Sequence, residues 1–170
     1  GGGLRNAIPR EASCFVAIQN NECDSFSDIF RTMVETFKDE YDSIENQMDL
    51  SFTETDSSSD AISSKDFKKI VNTLCSVHNG VFRMSPDIDG LVETSSSLAR
   101  VEIKNGTFIT QSLQRSSVDT TRDEVAMVIK SCFENMDCDV VQSGEYPGWQ
   151  PNPNSKILVI MEQLYKDMFK

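Results

Sequence analysis

Leu98-Ala99-Arg100-Val101-Glu102-Ile103-Lys104-Asn105-Gly106-Thr107-Phe108-Ile109-Thr110-Gln111-Ser112-Leu113-Gln114 reads as a β-hairpin. Asn105-Gly106 is the strongest short hairpin signal, because both residues accept the left-handed backbone that a tight two-residue turn requires. Strands are therefore predicted over Leu98–Ile103 and Thr107–Gln114. Residues of one parity share a strand face, so Ile109, Gln111, Leu113 and Arg115 should point the same way. Working outward, Ser13–Ile18 is apolar on both sides, which predicts a central strand. Met48, Leu50 and Phe52 alternate with polar residues and predict a one-sided strand. Short strands are predicted at Val81–Met84 and Cys138–Val141.

Four stretches carry helical periodicity instead. The first places Phe26, Ile29, Phe30, Met33, Val34, Phe37 and Tyr41 on one stripe, with Asp24 or Ser25 as cap. The second carries Phe67, Ile70, Val71, Leu74 and Cys75, capped by Ser63 or Ser64 and stopped at Asn79-Gly80. The third carries Val125, Val128, Ile129, Cys132, Phe133 and Met136, with Thr121 and Glu124 spaced as a capping box. The fourth carries Ile157, Ile160, Met161, Leu164, Tyr165 and Met168, beginning after Asn154 or Ser155. One-sided stripes of this kind read as core. The predicted class is α+β: a mixed or antiparallel sheet with helices packed mainly on one face, in ferredoxin-like strand-helix-strand halves. Residues 53–64 read as a mobile polar loop. Tyr146–Ser155 holds three prolines and the single tryptophan, and reads as a stiff strap.

Composition narrows the function. The chain has 170 residues and a formal charge of −11, with a pI near 4.5. Such a surface repels phosphate backbones and anionic membranes. No apolar run approaches the roughly 20 residues that span a bilayer. The five cysteines are odd in number and lack a C-x-x-C pair, which points to a reducing, cytoplasmic setting. Cys14, Cys75 and Cys132 sit among apolar neighbours and read as small hydrophobes. The single histidine, His78, follows a helical stripe and reads as structural. A zinc site needs several paired ligands, and one histidine does not supply them.

Arg115 is the leading candidate for binding. An arginine ending an apolar strand face needs an anionic partner or an exit to water. It grips a carboxylate through two parallel hydrogen bonds; an internal salt bridge or a snorkelling side chain is the alternative. Asn6 lies on the elbow formed by Gly1–Ala12, where Pro9 biases Ile8 toward an extended backbone. Its amide is placed to meet a ligand, although a plain strand-entry turn fits the same residues. Thr94 is a further candidate beside the alternative of an ordinary strand threonine.

Four ordered stretches carry a resemblance. They are Gly1-Gly2-Gly3-Leu4-Arg5-Asn6-Ala7-Ile8-Pro9-Arg10-Glu11-Ala12, then Gly90-Leu91-Val92-Glu93-Thr94-Ser95. Leu113-Gln114-Arg115-Ser116 with Asp119 follows, and then Tyr146-Pro147-Gly148-Trp149-Gln150-Pro151 with Ser155. Together they resemble bacterial aminoacyl-histidine dipeptidases, the carnosinase-like zinc metallopeptidases. The family often has asparagine where this chain has Ser97, and the shorter hydroxyl reaches less far.

The resemblance implies a single lid and dimerisation domain over residues 1–170, excised from a larger two-domain enzyme. It implies Arg115, Asn6 and Thr94 as substrate-binding residues, with no catalytic or metal-binding residue in this chain. Two zinc ions would sit in the absent catalytic domain. The implied partners are a dipeptide substrate, the chain's own catalytic domain and a second copy in a homodimer, in the cytoplasm, without nucleic acid or membrane. The reading from composition alone stays open to a stand-alone α+β ligand-binding or oligomerisation module. A complete small hydrolase fails for want of a nucleophile–histidine pair.

Overall fold

The computed structural model describes residues 1–55 and 60–169, so part of the loop expected at 53–64 lies outside the described residues. The chain, expected as one domain, divides into two compact units: Gly1–Ser13 with Ser63–Lys170, and Cys14–Ile62.

The larger unit is α+β. Its helix α2 (Ser64–Ser76) leads into strand β1 (Gly80–Met84), then the long strand β2 (Val92–Lys104), strand β3 (Thr107–Ser116), and helices α3 (Asp119–Glu134) and α4 (Lys156–Phe169). The sheet is antiparallel, in the order β1-β2-β3. The hairpin turns where the sequence predicted, with Asn105 at φ 51 and Gly106 at φ 73. Ser63 caps α2, accepting the Asp66 N–H at 3.1 Å. α3 starts two residues before the predicted capping box. Thr121 is buried in its first turn instead of capping it.

β2 is longer than β1, and its far edge finds other partners. Asn79 accepts the Leu98 N–H at 2.8 Å. Gly1 exchanges two hydrogen bonds with Val101, at 2.8 and 3.0 Å. Gly2, at φ +90, lies against the Ala99 carbonyl with no room for a Cβ. This is the close backbone approach that only glycine permits.

The core lies where α3 packs on the sheet. Val77, Val125, Ile129 and Phe133 are buried, with Phe82, Leu98, Phe108, Cys138 and Val140 packed around them. The parity of β3 is therefore the reverse of the expected one. Phe108 faces the core, whereas Ile109, Gln111 and Arg115 are exposed. Arg115 ends an open face, not an apolar one.

Cys138–Val141 is no strand. Cys138 N–H bonds back to Phe133 O, behind a left-handed Asp137 at φ 65. The alternation survives without a ladder: Cys138 and Val140 touch the core, and Val141 is exposed. α4 buries none of its residues, so its stripe, expected as core, lies open. A stripe shows which face of a helix is apolar, not what covers it.

The smaller unit holds a 3-10 turn at Asn20–Glu22 running into α1 (Cys23–Tyr41). Neither Asp24 nor Ser25 caps α1, because the preceding turn continues directly into it. Phe52 meets Phe26 and Phe30 edge-on, at 5.3 and 5.1 Å between ring centres. Ile29, Met33, Phe37 and Tyr41 of the α1 stripe are exposed, and Val34 is half-buried. Two predicted strands fail here. Ser13–Ile18 pairs with no strand among the described residues, and Phe15 is 83% exposed. Met48 and Leu50 are half-buried while Asp49 and Ser51 are exposed, but Phe52 is exposed too and no ladder forms among the described residues, so the one-sided pattern holds only in part.

All five cysteines are free. Cys14, Cys23 and Cys75 are exposed, against the buried reading of Cys14 and Cys75. His78 is half-buried, edge-on to Phe82 at 5.2 Å, and its Nε2 has no hydrogen-bond partner among the described residues.

Candidate functional site

Antiparallel pairing sets Ser95 opposite Arg115 and Thr94 opposite Ser116. Neighbours on a strand point to opposite faces, so the two pairs lie on different sides of the sheet. Arg115 is exposed. Among the described residues no carboxylate lies within ion-pair distance of its guanidinium, while Arg83, Arg100 and Arg122 are all paired.

A groove of about 680 Å³ opens at this end of the hairpin. Its floor is Glu93, Ser95, Arg115 and Ser116. Ile88, Leu91 and Val92 form one wall, and Tyr146, Trp149 and Pro151 from the strap form another. Mostly apolar walls around one unpaired guanidinium suit a small ligand bearing a carboxylate. The Ile88–Leu91 wall is held by a turn in which Ser85 Oγ accepts the N–H groups of Asp87 and Ile88, at 3.3 and 3.2 Å.

The sheet beneath the groove is braced by a chain of polar contacts. The Val118 N–H donates to Ser116 Oγ at 2.9 Å. Ser116 Oγ meets Thr94 Oγ1 at 2.7 Å. The Thr94 hydroxyl donates to Glu93 Oε1 at 3.3 Å, and Arg83 Nε pairs with the same oxygen at 3.3 Å. One proton arrangement satisfies every link: Ser116 donates to Thr94, and Thr94 donates to the carboxylate. Thr94 is 0% exposed. It stands next to the groove in sequence but has no open surface in this chain to offer a ligand.

Asn6 occupies a turn closed by the Ala7 N–H to Leu4 O bond at 3.2 Å, and it is exposed. The elbow is real, but it leads into no strand, and Asn6 does not line the groove. The three predicted residues are therefore not gathered at one point. Arg115 alone lines the groove.

Sequence reasoning missed two contributors. Arg122 is 13% exposed and contacts Asp119, Asp123 and Glu145 at 3.0, 2.8 and 2.8 Å. These contacts push its pKa up, chiefly through the Asp123 hydrogen bond, so it is always charged. The acidic residues at 119 and 123 were the available signal; Glu145 is brought in only by the fold. Gly148 is the second. A Cβ there would lie 2.7 Å from Ser116 O and 2.9 Å from the Ser117 carbonyl carbon, so only glycine lets the strap pass this close to the end of β3.

A second groove, of about 570 Å³, runs between β3, α3 and residues 138–146. The cations on its walls, Arg5, Arg122 and Lys130, stand among Asp123, Asp139 and Glu145, so it offers no unopposed charge comparable to Arg115. Among the described residues no group of three or more His, Cys, Asp or Glu side chains could hold a metal ion. No helix among them is long and apolar enough to cross a membrane.

Known proteins agree with this architecture. The chain is 30% identical over 169 residues to the cytosol non-specific dipeptidase of Escherichia coli (strain K12), a match covering 99% of this chain and 35% of that protein. The crystal structure of aminoacylhistidine dipeptidase from Vibrio alginolyticus superposes with a TM-score of 0.84 at 32% identity, over 99% of this chain and 34% of that one. No family model matches the chain. The chain thus spans about a third of the length of these relatives, and it shares the fold of the matched third of the Vibrio alginolyticus structure. The resemblance to aminoacyl-histidine dipeptidases is borne out over nearly every residue of the chain.

Proposed function

We propose that this chain is the substrate-binding lid and dimerisation domain of a larger cytoplasmic, metal-dependent dipeptidase that cleaves Xaa-His dipeptides. The observation that carries this reading is an exposed guanidinium with no ion-pair partner among the described residues, in a groove of dipeptide size, on a chain similar throughout to one third of a dipeptidase.

In this reading Arg115 grips the C-terminal carboxylate of the dipeptide with two parallel hydrogen bonds. The bound peptide is thereby held in one orientation, which removes part of the entropic barrier to reaction. Asn6 presents its amide to the peptide backbone or the developing oxyanion, acting from outside the Arg115 groove. Thr94 serves indirectly, by keeping the β2–β3 end rigid under Arg115. In this reading the two zinc ions implied for the parent are held by its catalytic domain; among the described residues of this chain no three His, Cys, Asp or Glu side chains cluster to hold a metal. The chemistry of this chain is binding, not bond cleavage. A second copy of the chain completes the homodimer.

The test is to assay the full-length protein and the 170-residue chain side by side on carnosine. The full-length protein should hydrolyse it, lose activity to a chelator and recover with zinc; the chain alone should show no turnover. A full-length protein inert toward every dipeptide would sink the reading. Sedimentation of the chain at high concentration should show a dimer, and a strict monomer would count against dimerisation through this domain.

A further inference from the structure

Two arginines line the Arg115 groove, and their surroundings differ. Arg115 has no acidic partner among the described residues. Arg122 has three: Asp119, Asp123 and Glu145. With three carboxylates around one guanidinium, Arg122 has no net positive charge to offer an incoming anion.

What Arg122 does hold is the strap. One of its terminal nitrogens donates to Tyr146 O at 2.6 Å and to Asp119 Oδ1 at 3.0 Å. The other donates to Glu145 Oε1 and Asp123 Oδ1, both at 2.8 Å. Asp119 Oδ1 in turn accepts the Gly148 N–H at 2.8 Å. Between residues 145 and 151, the strap backbone makes two hydrogen bonds to the rest of its unit among the described residues. Both run through the Arg122–Asp119 pair. Pro147 and Pro151 have no N–H with which to add a third. Immediately beyond this tie point, Trp149 stands 84% exposed at the groove.

We propose that Arg122 is a positioning residue: it fastens strap residues Glu145–Gly148 to the first turn of α3 and so sets Tyr146 and Trp149 as a wall of the groove that Arg115 lines. The substrate half of this proposal rests on the Arg115 reading above. Arginine suits the task because its planar fork reaches helix and strap at once, which a lysine ammonium cannot reproduce.

Trp149 is the single tryptophan of the chain, so its fluorescence reports the strap directly. The experiment compares Arg122→Gln, Arg122→Lys and Asp119→Ala with the unaltered protein. Trp149 anisotropy and acrylamide quenching are measured in the 170-residue chain, and KM and kcat in the full-length enzyme. Anisotropy should fall and quenching rise in Arg122→Gln and Asp119→Ala. KM for a dipeptide should increase about tenfold with kcat little changed, because a displaced wall costs binding geometry. Arg122→Lys should recover less than half of either loss.

If Arg122→Gln fails to fold, Asp119→Ala carries the test, since it removes the Gly148 tie and leaves the guanidinium in place. Unchanged anisotropy in a folded variant overturns the fastening. Lower anisotropy with an unchanged KM overturns the positioning role. Arg115→Ala in parallel separates the two readings. If that variant keeps its preference for a free carboxylate, the groove assignment falls and the substrate half falls with it, while the Trp149 signal still decides the fastening.

Discussion

Thr94 and Ser116 join hydroxyls at 2.7 Å across the β2–β3 ladder, on the side of the sheet opposite to the Arg115 side chain. The contact links the Val118 N–H, at the approach to α3, to the Glu93 carboxylate and its Arg83 partner. Each bond polarises the next, so the chain is worth more intact than its separate links suggest. It ties together the strand end, the helix start and the groove floor.

Thr94→Val keeps the side-chain volume and removes two of these bonds. It should lower stability by about 1–3 kcal/mol, the cost of leaving buried polar partners unsatisfied. Thr94→Ser, which keeps the hydroxyl, should lose less. If Thr94 acts only through the fold, Thr94→Val should leave KM of the full-length enzyme near its original value at temperatures where the variant is folded. Denaturant melts and steady-state kinetics check both. An unchanged melt with a large kinetic loss would mean that Thr94 meets the substrate after all.

Gly148→Ala should force the strap away from β3, because the new Cβ would meet the backbone atoms of Ser116 and Ser117 and not a side chain that could swing aside. Overpacking of this kind costs about 1–3 kcal/mol. The expected outcome is a lower melting temperature together with greater acrylamide quenching of Trp149. Values equal to those of the unaltered chain in both measurements would show that the strap does not run against the end of β3.

Features decided by neighbouring residues were legible in the sequence. Asn105-Gly106 carries its turn in its own backbone preferences, and Ser63 caps α2 with its own side chain. Arg115 was legible as the end of an alternating strand, but not which parity met the core: Phe108, not Ile109, packs beside Phe133. The strands predicted at Ser13–Ile18 and Met48–Phe52 failed for a different reason. Apolarity and alternation state a demand for burial or a partner, and neither names the partner. The stripes of α1 and α4 are the same case. Asp119 and Asp123 were legible beside Arg122, but its hold on the strap was not, because Glu145 lies 23 residues away and only the return of the strap joins them.

Cys138 offers a chemical check on the segment after α3. Burial pushes its pKa up, and the neighbouring Asp137 and Asp139 push in the same direction, against a smaller opposing effect of Lys69. A raised pKa means less thiolate at a given pH, and thiolate is the reactive form. Cys138 should therefore alkylate more slowly than the exposed Cys14, Cys23 and Cys75 in mildly alkaline buffer, and the gap should close as pH rises through its raised pKa. The same shift favours the folded state below the ordinary thiol range, and that contribution is lost as pH climbs from there toward the folded-state value. Peptide-level mass spectrometry after timed iodoacetamide pulses reads the rates. Equal rates for Cys138 and Cys14 at every pH would show that residues 138–140 do not pack on the core.

If the proposed function holds, Arg115→Ala in the full-length protein is the decisive substitution. Removing one partner of a desolvated charge pair costs about 2–5 kcal/mol. As a loss of transition-state stabilisation, that is roughly 30- to 4000-fold in kcat/KM. Folding should be nearly intact, because the side chain is exposed and supports no contact with a described carboxylate. Arg115→Lys should restore only part of the loss, since an ammonium keeps the charge without the two-pronged grip. A dipeptide whose C-terminus is amidated lacks the partner already. The unaltered enzyme should handle it poorly, and Arg115→Ala should lose little more on it. Equal losses on free and amidated dipeptides would mean that the guanidinium does not read the carboxylate, and a variant that unfolds would make Arg115 a structural residue.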